Sequence, residues 1–353
     1  MKKQILAVAV AGAFAVPAFA AADSSVTLFG QLQTQIVHHS ASGDGGTFES
    51  GFRQHDAGGA GSPADGAGPN RLGVMVNHDL GNGLSALAKF EGDFQTGAAS
   101  TSIADTGGFN SGNRDIYVGL DGNFGQVIAG RMTSSYNTAG KDPLNATFMQ
   151  GRANGARLGG DGGFGNGGYV DRGVRYSNSF GIVSLDVGMF LDNADDSDTA
   201  WSARLNFDVG PVDLYVAHAD AGDYEFRDSR SRNTKIGADW SHGPFRLVGE
   251  VEDLSRDRVD GDSVDVNTYF LSGTYTMGRN DFVLNLGHSR RDNNPNTDYA
   301  AIAVKHNFSN RVMAFAGVGY NSTEDSNLDS DGNVVGDRSL SFTGVGGGMR
   351  VSF

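Results

Sequence analysis

The sequence has no cysteine among its 353 residues, and it contains only 7 prolines and 2 tryptophans. Without cysteine there is neither a disulfide framework nor thiol chemistry. Apolar residues make up only 39% of the chain, and after the first twenty residues no run approaches the roughly 20 apolar residues that a spanning helix requires. Basic residues are outnumbered, with 27 Lys and Arg against 41 Asp and Glu, which argues against a nucleic-acid partner.

The first twenty residues have the pattern of an export signal. Lys2 and Lys3 precede an apolar stretch, and Ala18-Phe19-Ala20 fits an A-x-A cleavage site. We therefore expect a signal peptide over 1–20 and a mature chain over 21–353, although cleavage before Asp23 is the alternative. A helical membrane anchor is a second alternative, but the stretch is short and Pro17 interrupts it.

What the chain does have is glycine, 53 residues of it, and many short strand-like runs that are apolar on one face and polar on the other. In 84–94, Leu84, Ala86 and Ala88 alternate with Ser85 and Lys89. This period of two is typical of a strand with one wet face, and a helix would show a period near 3.6. A composition this lean in apolar residues suits a barrel whose interior faces water.

Sixteen such runs predict sixteen strands. They are 26–38, 70–79, 84–94, 114–121, 125–132, 170–178, 182–191, 200–209, 212–219, 234–241, 245–254, 266–277, 281–290, 298–307, 311–320 and 340–353. The connections alternate strictly between seven short turns rich in Gly, Asn and Pro and eight longer polar loops. An outer-membrane barrel sorts its connections in this way. The fold class predicted is therefore an all-β, transmembrane antiparallel β-barrel of 16 strands.

Several segments resemble the trimeric general porins of Gram-negative bacteria, especially the neisserial and beta-proteobacterial branch. The segments are 25–30 (SVTLFG), 114–120 (RDIYVGL), 124–131 (FGQVIAGR), 174–181 (VRYSNSFG) and the terminal Phe353. The resemblance implies an outer-membrane location, a homotrimer in contact with the lipid bilayer and lipopolysaccharide, and a third long loop folded into the lumen. That loop is 132–169, the longest connection, and loops of this length are usually functional.

The resemblance also implies a cluster of wall arginines facing this constriction loop, at Arg71, Arg131 and Arg175. Strand parity supports an inward direction for Arg71 and Arg175. Arg131 shares parity with Val127 and Ala129, so its inward direction rests on the resemblance alone.

The acidic loop motif of the family, a Pro-Glu-Phe-Gly type sequence, is not reproduced. The nearest candidates are Asp161, in Asp161-Gly162-Gly163-Phe164-Gly165, and Asp142, while Lys141, Arg152 and Arg157 make the loop partly basic. The pore-constriction candidates are therefore Arg71, Arg131, Arg175, Asp142, Arg152, Arg157 and Asp161. A ring of opposed charges at a narrow point sets ion preference, but this departure leaves the preferred sign open.

Negative charge is concentrated in four loops, 191–200, 220–233, 255–265 and 321–339, which hold 17 acidic and 6 basic residues. An acidic mouth would attract cations even if the constriction prefers anions, so two filters could act in series. The last loop places Asn327, Asp329, Asp331 and Gly332 at the spacing of a calcium loop, but Arg338 stands where that loop needs glutamate. A solvated acidic loop is the first interpretation; a looser Ca²⁺ or Mg²⁺ site at Asp325, Asp329, Asp331 or Asp337 is the alternative.

These observations together predict a water-filled channel for passive diffusion of ions and small hydrophilic solutes. The chain contains no nucleotide-binding glycine loop and no G-x-S-x-G motif in a strand-turn-helix context, so neither pumping nor catalysis is expected and no cofactor is implied. A surface or adhesive structural protein and a solute-specific channel are the alternatives.

Overall fold

A computed structural model describes residues 24–43, 50–59, 62–64, 70–96, 114–137, 141–152, 169–192, 199–222, 229–258, 263–292, 296–328 and 334–353. The expected signal peptide over 1–20 lies outside these residues. Within them, no helix is long and apolar enough to cross a membrane.

The described residues form nineteen strands. They are β1 (Ser24–Gly43), β2 (Gly51–His55), β3 (Ala57–Gly59), β4 (Ser62–Ala64), β5 (Arg71–Gly81), β6 (Leu84–Asp93), β7 (Ile116–Gly122), β8 (Gly125–Thr133), β9 (Tyr169–Phe180), β10 (Val183–Leu191), β11 (Thr199–Val209), β12 (Val212–Asp220), β13 (Ser229–His242), β14 (Phe245–Arg258), β15 (Ser263–Met277), β16 (Asn280–Arg291), β17 (Thr297–Ser309), β18 (Val312–Leu328) and β19 (Val334–Ser352).

Sixteen of these strands, β1 and β5 to β19, close into one antiparallel barrel in which each strand pairs with its neighbours in sequence. Closure is made by β1, which pairs with β5 over Ser24–Gln31 and with β19 over Gln31–Gly43. A closed barrel leaves no unpaired sheet edge. The predicted fold class and all sixteen predicted strands are confirmed, with ends that differ by a few residues.

The two faces of each barrel strand differ as the sequence pattern predicts. In β14, Leu247 and Val251 are each half exposed, whereas Glu250 and Glu252 on the opposite parity are buried. Because the barrel is closed, one face is the outer wall and the other lines the interior. The outer face is therefore an apolar band and the inner face carries most of the polar groups, the inverse of a soluble protein.

The connections also alternate as expected, with seven short turns at one end of the barrel. The Asn82-Gly83 turn between β5 and β6 has φ of 54° and 74° at its two central residues. Positive φ at both positions defines a type I′ turn, which Asn and Gly adopt at low cost. This end is called the short-turn end, and the opposite one the long-loop end.

The chain's final residue helps to join the barrel where it closes. The backbone of Phe353 donates to and accepts from the backbone of Gly30, with N···O distances of 3.0 and 3.1 Å. The Phe353 ring packs where a Cβ of residue 30 would lie, so only glycine fits there. This contact gives a structural reason for both the SVTLFG segment and the terminal aromatic residue.

The first long connection contains structure that the sequence pattern did not predict. Strand β2 pairs with β1 from Gln35 to His39, on the long-loop side of the Gln31–Arg71 pair at which β5 begins. Strands β3 and β4 pair with each other as a small separate sheet. These strands have three to five residues and are flanked by glycine-rich sequence. Runs this short give no measurable alternation, so periodicity cannot reveal them.

Candidate functional site

The connection between β8 and β9 contacts inner-face side chains on widely separated strands. Its described part, 134–137 and 141–152, is called the crossing segment. Its contacts are Ser135 with Asp186 of β10, Lys141 with Asp213 of β12, the Pro143 carbonyl with Lys305 of β17, and the Asn145 carbonyl with Arg350 of β19. The segment is therefore attached to the wall through side chains from much of the barrel's circumference.

Arg152 is the most strongly paired residue of the crossing segment. Its guanidinium donates to Glu250 of β14 through Nε at 2.8 Å and lies 2.5 Å from Glu252 Oε2. Tyr136 and Tyr215 donate their hydroxyls to these same two carboxylates. Burial acts to lower the pKa of Arg152, but the adjacent Glu252 and Glu250 carboxylates outweigh it and hold the pKa above its usual value. The guanidinium is thus a charged, buried anchor between the segment and β14.

Asp142 closes the crossing segment on itself. Its carboxylate accepts hydrogen bonds from the backbone N–H groups of Leu144, Gly151 and Arg152 at 2.7–2.8 Å, and from the Asn285 amide of β16 at 2.7 Å. Burial raises the pKa of the Asp142 carboxyl, although all four donors act to lower it. Asp142 therefore holds the shape of residues 142–152, and both of its carboxylate oxygens are engaged in hydrogen bonds.

An apolar cluster joins the crossing segment to the inner wall. Leu144, Phe148 and Met149 are fully buried, and their wall partners are Val37, Val248, Phe270, Val283, Tyr299, Ala301, Ala303 and Phe315. Phe148 packs against Gly344 of β19, where an added Cβ would lie 3.2 Å from its ring. The inner face of the wall is therefore apolar where these three side chains of the segment pack against it, which the parity analysis did not foresee.

Gly344 gives a direct way to dislodge the segment. In Gly344→Leu we expect the side chain to displace Phe148, at an overpacking cost of about 1–3 kcal/mol, and to expose Lys141 and Arg152 to trypsin. Limited proteolysis of the folded protein should then cut the variant within the segment and leave the wild type intact. Gly249→Leu is the control, because nothing lies within 4 Å of a Cβ at residue 249. Equal resistance of Gly344→Leu and wild type would contradict the packing role.

The three predicted wall arginines are each paired with a different carboxylate. Arg71 lies 3.7 Å from Glu91 and Arg175 lies 3.7 Å from Asp186. Arg131 donates to Asp171 of β9 at 2.7 Å, just beside a register shift between Gly130 and Met132 that breaks the alternation of β8. The bulge explains why parity could not orient Arg131. Their role at a constriction stays a prediction.

Three further basic side chains meet the crossing segment or lie beside those that do. Arg350 donates to Gln33 at 2.7 Å and to the Asn145 carbonyl at 3.2 Å, and it interacts electrostatically with Arg71. Lys305 donates to the Pro143 carbonyl at 3.3 Å and interacts electrostatically with Arg246 and Arg350. Arg71, Arg350, Lys305 and Arg246 are together called the basic row. Sequence reasoning missed Lys305 and Arg350 because charge and parity alone do not show which of many inner residues neighbour the loop.

Charges along the basic row differ in their access to water. Arg71 and Arg246 keep 37% of their side chains exposed, whereas their partners Glu91 and Asp239 keep 3% and 12%. The carboxylates of these two pairs are therefore less exposed to water than their guanidinium groups. Lys305 differs, since it lies 3.7 Å from Asp281 and the two side chains are 16% and 18% exposed.

A second buried ion cluster supports the wall near Arg71. Glu91 lies between Arg114, with its Nε at 2.5 Å, and Lys89, with its Nζ at 2.7 Å, and Lys89 also reaches Asp115 at 2.6 Å. The Glu91 carboxylate thereby neutralises part of the positive charge on one side of the row. Sequence reasoning placed Arg114 in a strand without assigning it a role.

Some predicted residues cannot be placed. Arg157, Asp161, Asp329 and Asp331 lie outside the described residues. Asp325 and Asp337 lie on neighbouring strands, where their backbones pair with Arg338 and Ser326. Among the described residues no group of three or more His, Asp or Glu side chains could hold a metal ion. The divalent-cation site stays a prediction.

Comparison with known proteins decides the family. A family model described as Gram-negative porin matches residues 7–326. The chain belongs to the Gram-negative porins. This porin is 28% identical to outer membrane porin protein 32 of Delftia acidovorans over the whole of both chains. It is also 33% identical to major outer membrane protein P.IB of Neisseria meningitidis serogroup A over 40% of this chain and 36% of that protein.

The fold agrees with this assignment. An anion-selective porin from Comamonas acidovorans superposes with a TM-score of 0.75 at 22% identity, covering 94% of this chain and all of the other. The family and the barrel place this porin in the outer membrane of a Gram-negative bacterium, where it forms a channel for passive diffusion. The resemblance drawn from the sequence segments is confirmed, including its neisserial and beta-proteobacterial branch.

Proposed function

We propose that the crossing segment lies within the lumen and sets its narrowest cross-section, and that the basic row makes this constriction prefer anions among ions and small polar solutes. The observation that carries the proposal is the difference in exposure between the guanidinium groups of Arg71 and Arg246 and their less exposed carboxylate partners, Glu91 and Asp239. Charge that faces water at a narrow point attracts ions of the opposite sign, while charge buried behind it acts more weakly on a passing ion.

Two further observations support a fixed constriction. The crossing segment is attached by a buried charged anchor at Arg152 and by the buried apolar side chains of Leu144, Phe148 and Met149. A segment held by both kinds of contact keeps one position, since losing either exposes buried groups at high cost. The related Comamonas protein is described as anion-selective, which agrees in sign with the basic row.

The test is the reversal potential of single channels in a planar bilayer under a KCl gradient. We expect stepwise currents whose reversal potential is displaced from zero toward the equilibrium potential of chloride. A displacement toward the equilibrium potential of potassium would contradict the anion preference and would favour control by the acidic loops. Non-electrolytes of graded size, added at saturating concentration, should enter the pore according to their size. If their entry does not depend on size, the alternative of a solute-specific channel is favoured.

The assembly and maturation of this porin follow the family resemblance. We infer a homotrimer in contact with outer-leaflet lipopolysaccharide and a mature chain that begins at Ala21 after removal of residues 1–20. The apolar outer band, with Leu247 and Val251 half exposed, supports burial in lipid or against other copies. A heat-sensitive species near three times the monomer mass in mild detergent supports the trimer, and N-terminal sequencing of the purified protein tests the cleavage site.

A further inference from the structure

Two buried histidines meet where β2 pairs with β1, near the long-loop end of the barrel. His39 of β1 and His55 of β2 are 7% and 1% exposed, and their Nε2 atoms lie 3.0 Å apart. One hydrogen therefore lies between the two nitrogens, donated by one ring and accepted by the other. A hydrogen on both nitrogens would set two N–H groups against each other.

The direction of the hydrogen bonds around this pair is set by the crossing segment. The backbone N–H of Phe148 can only donate, and it donates to Gln35 Oε1 at 3.0 Å. The other amide atom of Gln35, Nε2, therefore donates to His55 Nδ1 at 3.2 Å. His55 then holds its hydrogen on Nε2 and donates it to His39. One chain of hydrogen bonds thus runs from Phe148 through Gln35 to the two histidines.

An added proton breaks this chain at one of its contacts. On His39 Nε2 it faces the N–H of His55. If His55 gives up that hydrogen and holds one at Nδ1 instead, the Nδ1–H faces the amide N–H of Gln35. Turning the Gln35 amide around removes that conflict only by pointing Nε2 at the N–H of Phe148. Protonation therefore either separates the two histidines or costs the contact between Gln35 and the segment.

Gln33, two residues earlier on the same face of β1, makes a second link of this kind. Its Nε2 donates to the carbonyl of Asp56, the neighbour of His55, at 2.9 Å, and to the carbonyl of Ala146 in the segment at 2.5 Å. Its Oε1 accepts from Arg350 of the basic row at 2.7 Å. The end of β2 and the crossing segment therefore share two glutamines of β1, so a displacement of His55 acts on the segment at two points.

Two cations near the pair oppose a further positive charge on it. Arg53 of β2 stands opposite Val37, between the two histidines on the same face of the strand pair. Arg350 of β19 reaches Gln33 on the same face of β1. Like charges raise the cost of protonating an imidazole. An added proton thus increases the tendency of β2 to separate from β1.

Other titratable groups on the packed elements are directed elsewhere. The ring of His38 packs edge-on against Phe52, with ring centroids 5.0 Å apart, on the outward parity of β1. The Asp56 carboxylate accepts from the Asn70 amide and the Thr96 backbone. On β19, Asp337 and Arg338 pair with β18 beyond the last β1 pair. The charged residues of the segment, which face other strands as described above, are Lys141, Asp142 and Arg152.

We propose that His39 and His55 form a proton-binding site near the extracellular end of the lumen, and that Gln35 is the positioning residue that couples this site to the crossing segment. The proposal rests on the position proposed above for the segment. Imidazole changes charge between pH 5 and 8, and long loops of such barrels are extracellular, so acid outside the cell reaches the pair. Attachment is complete at pH 8 and weakens as the pH falls. One lost hydrogen bond favours the detached segment by roughly two- to tenfold.

The first test records single channels while the extracellular side is taken from pH 8 to pH 5. In the wild type, the occupancy of larger and noisier unit currents should rise by roughly two- to tenfold. The double variant His39→Gln and His55→Gln cannot titrate at this site and should lose the response. His38→Gln is the matched control, because His38 lies next to His39 on the opposite face of β1. It should respond like the wild type.

The second test asks whether Gln35 couples the site to the segment. In Gln35→Glu both carboxylate oxygens accept, one from Phe148 and one from protonated His55, so the chain survives the first proton and the response should move to lower pH. In Gln35→Leu the Phe148 N–H loses its acceptor, so the larger and noisier currents should appear at every pH. A merely structural glutamine would leave the pH profile of Gln35→Glu like that of the wild type, which would contradict the coupling.

A pH-insensitive fluorophore attached to Asn145→Cys reports the position of the segment without reference to current. The proposal is overturned if its emission is the same at pH 8 and pH 5, if the double histidine variant keeps the emission change, or if His38→Gln abolishes it. An emission change that the double histidine variant loses, together with a constant unit current, supports the proton site and contradicts the constriction. Failure of this proposal is therefore distinguishable from failure of the pore account.

Discussion

Arg152→Gln is expected to release the crossing segment and to raise single-channel conductance. Glu250 and Glu252 are 4% and 3% exposed, so removing the guanidinium leaves two buried carboxylates without their ion-pair partner on the segment, with Lys235 of β13 as the cation that remains near them. Breaking a buried pair in this way costs about 3–5 kcal/mol. That shifts the equilibrium between attached and detached segment by roughly two to four powers of ten. Planar-bilayer recordings should show larger and noisier unit currents.

Arg232→Gln is the matched control. Arg232 also pairs with a carboxylate, Asp257, at 3.1 Å, but the two side chains are 53% and 49% exposed. Exposed pairs contribute about 0–1 kcal/mol, so this variant should conduct like the wild type. Unchanged conductance in Arg152→Gln, with normal folding shown by heat-modified mobility, would mean that the segment does not limit the pore.

Neutralising the basic row is expected to have the second large effect, on ion preference. In the double variant Lys305→Gln and Arg350→Gln, two positive charges are lost while both positions keep polar side chains that can donate hydrogen bonds. Because Arg350 lies near Arg71 and Lys305 near Arg246, the field weakens along the whole row. The reversal potential in a KCl gradient should move toward the potassium side, with a smaller change in conductance.

Arg279→Gln serves as the control for charge alone. Arg279 lies exposed in the turn between β15 and β16 and donates to the Phe308 carbonyl, so removing its charge should leave the reversal potential unchanged. The predicted wall arginines are tested in the same way with Arg71→Gln and Arg175→Gln. If neither pair of substitutions alters the reversal potential, the inner wall does not determine selectivity.

The barrel itself could be predicted from the sequence because its rules are local. Glu250 and Val251 reveal the two faces of β14 by simple alternation, and Asn82-Gly83 specifies its turn through backbone angles that few other residues adopt. Each strand repeats the same information, so errors of a few residues at strand ends did not change the strand count.

The constriction could be predicted only in outline. Its length and its charged residues indicate a special loop, but the carboxylates that pair with the Arg152 guanidinium lie 98 residues or more away in sequence. No local pattern connects Arg152 to Glu250 or Asp142 to Asn285. Phe148 and Gly344 look unremarkable in isolation, since a loop phenylalanine and a strand glycine acquire meaning only when the closed barrel brings them together. The same holds for Arg350, whose position beside Arg71 requires that β1 close the barrel between their strands.

The absence of native cysteine permits the most direct measurement of whether the crossing segment narrows the pore. Asn145 is exposed on the segment, and its carbonyl accepts from Arg350. Asn145→Cys introduces the chain's one thiol, which a small water-soluble methanethiosulfonate reagent can modify during recording. The account predicts that modification reduces the unit current in discrete steps. A current that stays constant after complete modification, verified by mass spectrometry, would contradict it.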